Sequence, residues 1–168
     1  NLFGYPVQLP GTVMASSLEG DWNTAAGVDV VERIERLQNN GTLQSHVSQD
    51  FQIGQRRAYY ITMLQDHTAR FPGLEYCPAN YSLVDGINML SMPCINPWNS
   101  AYDLIGSIRD AGGDVLSVQR INPETGAIET ASLVGAEPAG VNFPLIPGEG
   151  CIINMNVPGG GTLTLPVP

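Results

Sequence analysis

Apolar and polar positions alternate over several short stretches of this chain, and the pattern predicts strands. In residues 115–121, Val115, Ser117 and Gln119 point one way while Leu116, Val118 and Arg120 point the other. Residues 2–7 and 87–94 read as opening strands, each with a proline near its end, where a missing amide donor is tolerated. Only one stretch carries a strong helical period. Asn99 or Ser100 offers a cap, Ala101, Leu104, Ile105 and Ile108 share a face, and Gly112-Gly113 supplies the stop. Residues 28–37 fit either period. The match to residues 115–121 favours a strand, with weaker helical signals at residues 13–18 or 25–37. Residues 8–27 otherwise read as a polar insertion, and residues 162–166 as a last strand after three glycines.

These elements recur in order. Asn1-Leu2-Phe3-Gly4-Tyr5-Pro6-Val7 returns as Asn88-Met89-Leu90-Ser91-Met92-Pro93-Cys94. Ile34-Glu35-Arg36-Leu37 returns as Val118-Gln119-Arg120-Ile121. Turns ending at Gly41 and Gly126 follow, with residues suited to positive φ. Asp50-Phe51-Gln52-Ile53 and the strand from Ala58 return as Asn142-Phe143-Pro144-Leu145 and the strand from Gly150. The fold class expected is therefore α+β and mainly β, with two similar strand, helix or loop, hairpin, strand repeats packed as one pseudo-two-fold unit. Repeat 1 spans residues 1–75, repeat 2 residues 76–157, and residues 158–168 form a glycine linker and terminal strand.

Composition narrows the function. A hydrophobic fraction of 43% fits a folded chain, while 14% charged residues is low. Net charge is −9 and all seven cationic residues are arginines spread thinly, which argues against nucleic acid and anionic membranes as partners. Nineteen glycines and thirteen prolines fit short strands and tight loops. No apolar run reaches the roughly 20 residues of a membrane helix, and no charged start followed by an apolar segment marks a signal peptide, so any export signal is expected to have been lost. The abrupt start within a strand suggests a processed or excised fragment.

Ile87-Asn88-Met89-Leu90-Ser91-Met92-Pro93, Arg120-Ile121-Asn122-Pro123-Glu124-Thr125-Gly126 and Phe143-Pro144-Leu145-Ile146-Pro147-Gly148-Glu149-Gly150 resemble a poorly characterised module of secreted and surface bacterial proteins. That module carries an N-L-x-S-x-P strand, a D-P-x-T-G turn and an F-x-L-x-P-G-E-G-Y hairpin. Cys151 stands where its aromatic is expected, and repeat 1 has Gln55-Arg56-Arg57-Ala58 at the matching turn. The resemblance implies an extracellular or cell-surface, non-catalytic module and carries no functional residues with it.

Candidate chemistry is sparse. Trp22-Asn23 and Trp98-Asn99 stand in similar local sequences. Loop indoles with adjacent amides would suit carbohydrate, while buried indoles would plug the repeat cores. Arg56 and Arg57 beside Tyr59 and Tyr60 form a basic, aromatic cluster suited to an acidic surface of another copy, and Leu163 and Leu165 suit edge pairing in self-assembly. Cys94 and Cys151 can both face the core of repeat 2. A Cys94–Cys151 disulfide, a Cys77–Cys94 disulfide and buried free thiols remain as alternatives. His46 and His67 have no nucleophile motif nearby, and Asp103, Asp110 and Asp114 lack calcium-loop spacing. No enzyme activity, metal or cofactor is expected. The expected role is structural or assembly, with other copies, neighbouring domains or a polysaccharide as partners.

Overall fold

The computed structural model describes residues 2–4, 7–8, 11–38, 41–54, 56–68, 74–75, 80–93 and 95–167. In chain order they form β1 (Leu2–Gly4), β2 (Val7–Gln8), α1 (Ala15–Ala26), β3 (Val31–Leu37), β4 (Leu43–Ser45), β5 (Ala58–Met63), β6 (Leu74–Glu75), β7 (Asn80–Val84), β8 (Gly86–Ser91), α2 (Ala101–Asp110), β9 (Asp114–Ile121), β10 (Ile128–Val134), β11 (Glu137–Gly140), β12 (Gly150–Asn156) and β13 (Thr162–Pro166). The fold is α+β and mainly β. One antiparallel sheet runs β1-β5-β3-β4 and a second runs β11-β10-β9-β12-β8, while β13-β7 and β2-β6 form two-stranded ribbons.

Helix α2 forms for local reasons. The Ser100 side chain accepts from the Asp103 N–H and the Asp103 carboxylate accepts from the Ser100 N–H, which completes a capping box. Ala101, Leu104, Ile105 and Ile108 are all buried, and Gly112, at φ 95°, takes the left-handed backbone that ends the helix. Helix α1 begins differently. Its cap residue is Met14, which has no side-chain oxygen, so the first amides are satisfied from a distant segment. The Ala15 N–H donates to Phe51 O at 2.9 Å, and the Ser16 N–H and Oγ both donate to Asp50. Those bonds hold the Asp50 carboxyl below its ordinary 3.8, the Ser16 hydroxyl contributing most.

The stretch expected to be a polar insertion therefore carries α1, and residues 31–37 are a strand. The opening strand of repeat 1 is described as β1 and β2, and Tyr5 and Pro6 between them lie outside the described residues. So do Asn39 and Asn40 of the first hairpin turn.

Each sheet buries one apolar face under its helix. Leu18, Trp22, Ile34, Phe51, Ile53 and Tyr59 fill the first core, and Trp98, Leu104, Ile105, Val118, Phe143, Ile153 and Met155 fill much of the second. The two sheets interlock through their opening strands. The Gly4 N–H donates to Gly148 O at 2.9 Å, and the Ser91 N–H donates to Arg56 O at 3.2 Å. Phe3 bridges Glu149 and Leu90 bridges Arg57. Each opening strand thus touches the last strand of the other sheet.

Cys151 lies on the buried face of β12 with Ile153 and Met155, and its thiol is free. Burial first, then the Glu149 charge, pushes its pKa up to about 12. The thiolate is the reactive form, so Cys151 is expected to resist iodoacetamide in the native protein and to react once the chain is unfolded. Mass spectrometry of alkylated protein with and without denaturant checks this; full native labelling would contradict the buried position.

Candidate binding cleft

Both indoles are core residues. Trp22 lies within α1 and is 4% exposed, edge-on to Phe3 with ring centroids 5.7 Å apart. Trp98 precedes the α2 cap and is 2% exposed, its Nε1–H donating to Ser107 Oγ at 2.9 Å. Stacking on a sugar needs an open ring face, and neither indole has one. Nor are the two settings equivalent, because one indole is helical and the other precedes its helix. Asn23 is used internally, its Oδ1 accepting from the Val30 and Val31 amides, and the Asn99 carbonyl accepts from the Leu145 N–H.

The tail is also internal. Leu165 is completely buried opposite Tyr81, and Leu163 packs on the second core opposite Leu83. These leucines were expected at an assembly edge; burying them against β7 removes more apolar surface from water than an exposed ribbon would. Cys94 and Cys77 lie outside the described residues, so the proposed bridges do as well. His46 is buried and its Nε2 meets Glu19, while its Nδ1 lies against the Ile34 backbone. His67 sits in the loop after β5. Among the described residues no cluster of His, Cys, Asp or Glu is arranged to hold a metal, and no helix is long and apolar enough to cross a membrane.

Arg56 and Arg57 have a different surrounding. They line a cleft of about 510 Å³ between the β3–β4 hairpin, the start of β5 and strand β8. Arg36 joins them, so three of the chain's seven cationic residues meet in one place. The one carboxylate in the lining, Asp85, is committed to the Val157 N–H at 2.9 Å. Arg56 has φ 70°, the only positive φ outside glycine among the described residues. A side chain held in that region costs about 1–3 kcal/mol, and such strain gathers at binding sites. Tyr59 is buried and Tyr60 half-buried, so the aromatic part of the cluster belongs mainly to the core.

Arg36 and Arg120 occupy matching positions in their sheets. Arg36 pairs across the hairpin with Gln44, and Arg120 with Glu129. Each guanidinium lies over a phenylalanine: Arg36 is 4.7 Å from the centre of Phe51, and Arg120 is 5.1 Å from that of Phe143. Their polar partners differ. The Arg120 Nε–H donates to Glu129 at 2.7 Å, and Nη1–H donates to Glu149 at 3.2 Å and to Pro144 O at 3.0 Å. The Arg36 Nε–H donates to the neutral Gln44 Oε1 at 2.9 Å, and neither Arg36 nor Arg57 forms an ion pair among the described residues. Position decides the rest: Glu149 precedes Gly150, which pairs through β8, and Arg57 precedes Ala58, which pairs with Gly4 of β1.

Sequence reasoning picked out Arg56 and Arg57 but missed Arg36 and Arg120. Their signal was present, since each follows an apolar residue by two positions in matched strand segments and so shares the core-facing side with it. No family model, curated protein or solved structure matches this chain.

Proposed function

We propose that the chain is a duplicated, non-catalytic structural module of a bacterial surface or secreted protein, built to assemble with other copies or adjoining domains. Duplication is supported by the shared strand order of the two sheets and by hydrogen bonds that recur at matched positions. In each half the carbonyl of a phenylalanine caps the helix, Phe51 for Ala15 and Phe143 for Ala101. In each, the side chain before that phenylalanine accepts from the next amide, Asp50 from Ser16 and Asn142 from Tyr102. An approximate two-fold relation between the halves is part of this reading.

The observation that carries the assembly reading is charge. A chain with net charge −9 gathers three arginines in one open cleft, so an acidic face of one copy complements the cleft of another. The extracellular setting rests on the resemblance in the second repeat and on the glycine- and proline-rich, charge-poor composition.

Sedimentation velocity at rising protein concentration tests this. Self-association is expected at low salt, weakened at high salt and lost in an Arg56→Ser, Arg57→Ser variant. A chain that stays monomeric throughout, or associates regardless of salt and of these arginines, would rule the cleft out as the assembly contact.

A further inference from the structure

We infer that the arginine cleft is a receptor for the carboxylates of an acidic extended peptide, which adds beside β8 and supplies to Arg36 and Arg57 the negative charge that Glu129 and Glu149 supply to Arg120. This rests on the duplicated-module reading and names the chemistry of its contact. At three corresponding positions the second half holds Arg120, Glu129 and Glu149, a set closed on itself by charge-assisted hydrogen bonds of 2.7 and 3.2 Å. The first half holds Arg36, Gln44 and Arg57. Both carboxylates are gone, one replaced by an amide and one by a second cation.

The missing anions define the ligand. A guanidinium over an aromatic ring presents its remaining N–H groups in a planar fork, which suits a carboxylate. The Arg57 stem packs toward Gly54, where an added Cβ would lie 3.5 Å from Cδ, and Arg57 itself lines the cleft with Arg36. Extended backbone is favoured because β8 is the edge strand of its sheet and, among the described residues, is bridged to the other sheet at Leu90 and Ser91. Its exposed Ile87 and half-buried Met89 line the same cleft as the arginines and offer it an apolar strip. A strand laid along such an edge gains main-chain hydrogen bonds, with alternate side chains directed at the pockets.

The test uses a short capped peptide of alternating valine and glutamate beside its valine–glutamine twin, titrated into the whole chain by calorimetry at low salt. The glutamate peptide is expected to bind, and the glutamine twin about tenfold more weakly or less. Arg57→Glu should abolish peptide binding and raise Tm, because the new carboxylate takes the place of Glu149 and pairs with Arg36. Gln44→Glu should weaken binding through the position of Glu129. Unchanged peptide affinity in Arg57→Glu, equal binding of both peptides, or inhibition by inorganic phosphate as complete as that by the glutamate peptide would overturn the inference. Peptide binding in a chain that never self-associates would keep the receptor and remove the assembly reading. Salt-sensitive self-association without peptide binding would do the reverse.

Discussion

Replacing Arg120 by alanine is expected to destabilise the fold by about 3–5 kcal/mol, the loss typical of breaking a buried ion pair on one side only. The side chain is 9% exposed and serves two carboxylates, a carbonyl and an aromatic face. Its removal leaves Glu149 half-buried without a counter-ion and Pro144 O without that donor. In a chain of this size the Tm should fall by about 10 °C or more.

The deficit should also depend on pH. Burial already raises the Glu149 carboxyl above its ordinary 4.5, against the pull of Arg120. Without Arg120 it rises further, so the folded variant binds a proton more tightly than the unfolded chain does. Its stability then falls as pH rises from 4.5 through the raised value. Glu129 works in the opposite sense. Hydrogen bonds from Asn122 and then Arg120 hold its carboxyl below 4.5, so its contribution is complete above 4.5 and is lost as pH falls through the lowered value. Both effects make the wild-type advantage largest near neutral pH and smaller toward pH 4. Thermal melts across that range check it, and a Tm difference independent of pH would mean that Arg120 acts through packing alone. Arg36→Ala, which leaves only a neutral amide behind, should cost much less.

Gly4→Val is the second substitution with a large expected effect. A Cβ at Gly4 would lie 2.5 Å from Ser91 Cα, so the clash is with backbone and no rotamer change relieves it. The opening strands of the two sheets must move apart, at a cost of about 3 kcal/mol or more, and the Gly4–Gly148 hydrogen bond is lost with them. Urea unfolding should show a lower midpoint and a shallower slope, because two halves that no longer lock together lose cooperativity. Gly4→Ala combined with Ser91→Gly should recover part of the loss, since the side-chain share of the overlap is removed. Gly106→Ala, on the exposed face of α2 with nothing near the new methyl, should instead stabilise by about 0.5–1 kcal/mol. A Gly4→Val chain that unfolds like the wild type would mean that the close approach of the sheets is not required.

Elements whose signals lie within a few residues were legible in the sequence. Ser100 and Asp103 cap α2 from three residues apart, and the Asn122 side chain accepts from the Glu124 and Thr125 amides to build the turn that Gly126 closes. The inward face of β12 followed from alternation alone. Helix α1 was hidden because its cap comes from Asp50 and Phe51, 34 and 36 residues beyond the amides they serve. The pairing of β13 with β7 and of β11 with β10 was hidden for a related reason: sequence fixes which face of a strand is apolar, while its neighbour is set by competition between cores.

By itself the sequence determined the strand-rich class, helix α2 and the arginine pair at residues 56–57. Each depends on local periodicity, capping or turn chemistry, whose range is a single turn or hairpin. Tertiary structure alone decided that both tryptophans and Leu165 are buried, that Gly4 and Ser91 meet, and that Arg36 joins Arg56 and Arg57 while Arg120 is enclosed by two glutamates. Those outcomes depend on burial and Coulomb energies between groups far apart in the chain, which take a value only once the sheets interlock.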